Sequence, residues 1–244
     1  MGKTVEVKRV EPRLRVSGWI DSWTQNLLYP TKEAKRITRQ EITQTTLRPI
    51  PLLMIYGMVM GSFGLFNDPN GTLWTELLHL LYSSSKIPIL TGLTFLLALP
   101  GFYVFYMLAG LAEDFRDVIR AFIHTQAVFA LALASLSPFT LLFYLSIPDY
   151  LSAVLFNGLM FAVAALVRQI VLRRQYAILI CRHPRHRLLL RLWFLLYAFI
   201  GIQTGWLLRP WVGVPGADNS YLREDTWSIA YLELLKILRG ILSL

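Results

Sequence analysis

One short stretch, "GIQTGWLLRPW", gathers side chains able to recognise a polar or charged ligand: Gln203, Trp206, Arg209 and Trp211. Gln203 and Trp206 are three residues apart, and Trp206 and Arg209 another three, so on a helix they form one stripe. A guanidinium fork can grip a lipid phosphate or a partner's carboxylate. The plainer role is anchorage, with Arg209 snorkelling to the boundary and Trp206 and Trp211 as belt residues. In either role, polar groups left unpaired in lipid are costly, so the stripe is expected to face the bundle or a partner. Trp19 and Trp23, in "GWIDSWTQNLLYP", form a second aromatic pair at helical spacing. They suit either headgroup depth or a helix packed on the protein's own face.

Titratable candidates are few. His124 is the single histidine within an apolar run, four residues after Arg120. It could ligate a pigment, haem or metal, or relay a proton; the simpler expectation is a hydrogen bond to a neighbouring helix. "CRHPRH" spaces Cys181, His183 and His186 like metal ligands. A zinc site needs a second converging pair, and the flanking arginines repel a cation, so headgroups are the better partner and no metal is expected. The sequence contains no Gly-rich phosphate loop, nucleophile elbow or metalloprotease helix. No catalytic residue, no cofactor and no enzyme activity are therefore expected.

Lipid is the solvent implied for the elements that hold these residues. Of 244 residues 55% are apolar and 16% charged, with mean hydropathy +0.49. A soluble domain carries about a quarter charged residues, and here the charges collect between long apolar runs. Five spans are predicted, at about 49–66, 87–110, 118–146, 150–172 and 188–208. Pro100 and Pro138 fall inside the second and third. A mid-helix proline frees a carbonyl, and Ser135 and Ser137 stand close enough to Pro138 to bond it.

The net charge of +9 suggests anionic headgroups rather than nucleic acid, because the basic residues flank the spans. With an odd number of spans and the N-terminus inside, nineteen of the 24 basic residues share one side. They comprise ten in 1–48, Arg116 and Arg120, and seven between Arg168 and Arg191. Lys86, Arg209, Arg223, Lys236 and Arg239 take the other. The positive-inside rule then gives a multi-pass cell-membrane protein, N-terminus cytoplasmic and C-terminus outside. Segment 72–84 reads as an outer-surface amphipathic helix. The C-terminal "TWSIAYLELLKILRGILSL" reads as a second, with a sixth span as the alternative. The N-terminus lacks an apolar h-region, so no cleavable signal is expected. Gly57 and Gly61 form a small-residue stripe for close helix approach, within the bundle or to another subunit.

A resemblance joins several of these stretches. "GIQTGWLLRPWVGVPG", "SSSKIPILTGLTFLLALPGFYVFYMLAG" and "LALASLSPFTLLFYLS" resemble a group of bacterial polytopic membrane proteins of unassigned function. That group carries a Gln-x-x-Trp-x-Leu-Arg-Pro-aromatic signature, and the likeness covers about 83–216. More loosely, the arrangement is similar to five-helix Yip1-type membrane proteins. The resemblance implies a helical bundle and hands over no catalytic residues.

The expected protein is all-α, a polytopic integral membrane bundle of about five transmembrane helices plus interfacial amphipathic helices. Residues 1–48 form a basic N-terminal arm, 49–211 the transmembrane domain, and 212–244 an outer loop and amphipathic helix. The expected function is a non-enzymatic scaffold or accessory subunit of a larger membrane complex, with other membrane subunits and membrane lipids as partners. The alternative is a lipid- or solute-handling protein, whether channel, carrier or membrane-shaping factor.

Overall fold

The computed structural model describes residues 46–67 and 73–208. The chain divides into two units, Met1–Arg36 and Ile37–Leu244, and every described residue belongs to the second. Trp19, Trp23, Arg209, Trp211 and the stretch expected to form a C-terminal amphipathic helix lie outside the described residues.

Proline and glycine punctuate the helices. Helix α1, Pro49–Gly61, opens on Pro49, whose fixed φ suits a first turn. Ser62 turns its hydroxyl back to Val59 O at 2.8 Å, and α2, Phe63–Asn67, continues the same crossing. Helix α3 runs unbroken from Leu73 to Leu108 with Pro88 and Pro100 inside it. It ends at Gly110, whose φ of +72° needs a residue without Cβ. There Leu111 N–H bonds Tyr106 O and Gly110 N–H bonds Met107 O, each at 3.0 Å, closing a Schellman cap. A 3-10 turn, Ala112–Asp114, leads into α4, Phe115–Ser146. Pro138 leaves Ala134 O without its helical donor, and the Ser137 hydroxyl donates to that oxygen at 2.6 Å, as the sequence implied. Helix α5, Tyr150–Arg182, is capped by Asp149, whose carboxylate accepts from Ser152 N–H at 2.8 Å. His183 and Pro184 break the chain before α6, Arg185–Leu207.

Five of these helical segments are long and apolar enough to cross a membrane: Pro49–Asn67, Leu77–Leu108, Ala112–Ser146, Tyr150–Arg182 and Arg185–Leu207. The protein is an all-α membrane bundle, with no strand among the described residues. The segment at 72–84 is not a separate surface helix; from Leu73 it is the first part of α3. Lys86 consequently moves from an expected loop to the interior of a span, where it is 0% exposed.

Packing explains the glycine stripe. A Cβ on Gly57 would sit 2.5 Å from Ser83 O and 2.8 Å from Ser84 Cα; one on Gly61 would meet Ser83 Cβ at 2.8 Å. The stripe is spent inside the bundle, bringing α1 onto α3. Two cores result. One joins Leu53, Tyr56, Met60 and Phe63 of the first crossing to Phe129, Leu133 and Tyr144 of α4 and Met160 of α5. Its polar members bond each other: Tyr56 Oη donates to Asn157 Oδ1 at 3.2 Å, and Asn157 Nδ2 donates to Tyr144 Oη and Ala153 O. Backbone and side-chain polar groups must find such partners where water is absent. The other core is an aromatic box of Phe102, Tyr106, Phe122, Tyr176 and Trp193, with Phe122 and Trp193 stacked at 3.9 Å. Helix α3 pairs extensively with α6 and α4 with α5, whereas α5 and α6 touch sparsely.

Candidate anionic-ligand cleft

All the described Lys and Arg residues except Lys86 fall at Arg48, on the first turns of α4 and α6, or between Arg168 and Arg182 of α5. The end of α5 and the starts of α4 and α6 lie together, joined through Asp114 and Asp117. Carboxylates neutralise part of that charge. Asp117 pairs with Arg120 at 3.2 Å and with Arg182 at 3.5 Å, and Asp114 lies 3.6 Å from Arg182.

Where α5 and α6 diverge from their shared turn, a cleft of about 530 Å³ opens between them. Arg173 and Gln169 line it from α5, and Arg187 and Arg191 from α6. Ile180, Leu190, Phe194 and Leu195 supply the apolar part of its lining. None of the three arginines makes an ion pair with a described carboxylate, and all three are exposed. Arg173 stands nine residues before the α5 terminus and Arg191 six after the α6 start, about 14 Å and 9 Å along their axes. A lining that mixes three guanidinium groups with four apolar side chains matches an anion attached to hydrocarbon.

Behind this cleft a buried hydrogen-bonded chain ties α6 to its neighbours. His186, 0% exposed, places Nε2 3.0 Å from Asp114 Oδ2 and Nδ1 2.9 Å from Tyr106 Oη. Tyr106 Oη in turn lies 3.2 Å from Tyr176 Oη. The carboxylate can only accept, so Nε2–H donates; with the ring neutral, Nδ1 accepts the Tyr106 hydroxyl and Tyr106 accepts from Tyr176. Arg185 adds a bond to Ala109 O at 3.1 Å. These contacts fix the first turn of α6, and with it Arg187.

The sequence candidates fall elsewhere. Trp206 is buried and Gln203 half-buried at the opposite end of α6, while Arg209 and Trp211 are not among the described residues. His124 meets Gln175 Nε2 of α5 at 2.8 Å, the hydrogen bond to a neighbouring helix that the sequence favoured. Cys181 is exposed, His183 ends α5 and His186 is buried inside, so "CRHPRH" is dispersed and His186 does not face headgroups. No group of three metal-binding side chains occurs among the described residues. The sequence reads the cleft arginines as topology-setting charge and as contacts for anionic headgroups, without bringing them to one cleft. Their four-residue spacings, Gln169–Arg173 and Arg187–Arg191, were the legible sign that each pair shares a helix face.

No family model matches the chain, and neither curated proteins nor solved structures give a match.

Proposed function

We propose that the chain is a lipid-handling membrane protein that seats an anionic phospholipid in the α5–α6 cleft. One observation carries this reading: Arg173, Arg187 and Arg191 line one cleft together with four apolar side chains and pair with no carboxylate among the described residues. The phosphate takes the guanidinium forks, and an acyl chain runs along Phe194 and Leu195. By the positive-inside rule the cleft opens on the cytoplasmic leaflet of the cell membrane, with the N-terminus on that side. The role is binding, and it requires no bond-making step and no cofactor. The scaffold reading rests on residues 1–48 and 212–244, of which only 46–48 are among the described residues.

Mass spectrometry of lipids retained through mild-detergent purification tests the proposal. Wild type is expected to carry anionic phospholipid enriched over the bulk membrane, and the Arg173→Gln/Arg187→Gln/Arg191→Gln variant to lose it. Equal lipid profiles for the two proteins would refute it.

A further inference from the structure

Beside the Gln169 end of the cleft, three helices bring polar groups to one stretch of α6. Arg168 of α5 is 8% exposed and makes no hydrogen bond or ion pair among the described residues; its Cζ lies 4.2 Å above the Tyr197 ring. Gln126 of α4 donates to Tyr197 Oη at 2.9 Å, while its Oε1 has no partner. Thr94 Oγ1 of α3 is the other buried side-chain atom without a partner among the described residues. Thr94 packs where Gly201, one turn beyond Tyr197, leaves room: its Cγ2 is 3.5 Å and its Oγ1 4.0 Å from the position a Gly201 Cβ would take. Buried polar atoms in native proteins nearly always have partners, so each orphan requires an explanation. A cation within a membrane span marks a ligand or ion site by default, with a partner to be named.

We infer that Arg168, Tyr197, Gln126 and Thr94 form an intramembrane site for a singly protonated phosphate or phosphate monoester. The oxyanion oxygens accept from the Arg168 fork and from the Tyr197 and Thr94 hydroxyls. The one P–O–H donates to Gln126 Oε1, the acceptor that lacks a donor. A fully ionised phosphate or a phosphodiester would leave that carbonyl unmet, and a cation would face Arg168. The site stands apart from the cleft arginines and does not depend on the reading of the cleft.

Thermal unfolding of the full chain in detergent tests this, with inorganic phosphate in one arm and dioctanoyl phosphatidic acid in the other. Chloride at equal ionic strength is the reference. Phosphate or the lipid is expected to raise the midpoint, the lipid arm being read in the Arg173/Arg187/Arg191 triple variant so that the cleft does not contribute; a shift in the first arm alone assigns the site to the free ion, in the second to a headgroup. Arg168→Gln is expected to melt at or above unliganded wild type, because it removes an unpaired buried charge, and to lose the response to inorganic phosphate, and to the lipid as well once the cleft arginines are also replaced. Tyr197→Phe and Arg168→Lys, which keep the fold if Arg168→Gln does not, are expected to weaken the apparent affinity by ~10-fold for one lost charge-assisted contact. The Arg173/Arg187/Arg191 triple variant is expected to keep the phosphate response. The inference is overturned if wild type responds no more to either probe than to chloride, or if Tyr197→Phe and Arg168→Lys respond as wild type does. A lower midpoint for Arg168→Gln with an intact anion response would likewise show that the guanidinium serves only the Tyr197 ring.

Discussion

Removing the cleft charges offers the most quantitative handle on lipid binding. A Lys or Arg beside an anionic membrane surface contributes about 1 kcal/mol, so Arg173→Gln, Arg187→Gln and Arg191→Gln together are expected to cost about 3 kcal/mol. That corresponds to about 150-fold weaker binding of an anionic phospholipid. An internal control is built into the same end of the bundle. Arg182 already shares Asp114 and Asp117 at 3.6 and 3.5 Å, so Arg182→Gln removes a charge that is largely compensated and is expected to cost far less than the triple change. Competition between a labelled anionic lipid and unlabelled zwitterionic lipid in nanodiscs reads both. Raising salt from about 0.1 M to 1 M shortens the screening length from about 10 Å to 3 Å and should weaken wild type more than the triple variant. The reasoning fails if the triple variant binds as wild type does, or if Arg182→Gln costs as much.

Two further outcomes test the scaffold that holds the cleft. Gly57→Ala places a methyl 2.5 Å from Ser83 O, a backbone atom that cannot step aside, so about 1–3 kcal/mol of destabilisation is expected. Gly92→Ala, with open space around its Cβ, serves as the neutral comparison in thermal unfolding. Asp149 is held below the ordinary carboxylate range mainly by its bonds to Ser152. Its capping of α5 is therefore fully present above that range and lost as the pH falls through the lowered value. Asp149→Asn caps without titrating, so the stability gap between the two proteins should change only in that acid window; a constant gap would remove the cap from the account.

Hydropathy made the bundle legible, because five apolar runs separated by charge admit few other solutions. The Pro138–Ser137 pairing was also visible, since a proline names the carbonyl it frees and Ser137 was within reach of Ala134 O. Azimuth was not visible. Arg168 reads in sequence as a flanking charge because it follows an apolar run, yet α5 continues fourteen residues past it and turns it inward over Tyr197. Lys86 was hidden for a related reason. The short polar stretch "SSSK" lowers the local hydropathy and mimics a span boundary, while Ser83, Ser84 and Lys86 are buried along a single continuous helix. His186 required knowledge that the turn carrying Asp114 comes back beside α6, a tertiary fact that local spacing does not contain.

Unequal helix lengths have a mechanical consequence. The crossing at Pro49–Asn67 has 19 residues, about 28 Å of rise, close to the hydrocarbon thickness, whereas the 33 residues of α5 rise about 50 Å. The shorter crossing fixes the height at which the protein rides, and the excess of α5 protrudes as a stub bearing its lower arginines. A thicker bilayer cannot be met by sliding the molecule along the normal, since that would submerge the stub. Such a bilayer is met at the short crossing by local thinning or by snorkelling of its flanking residues.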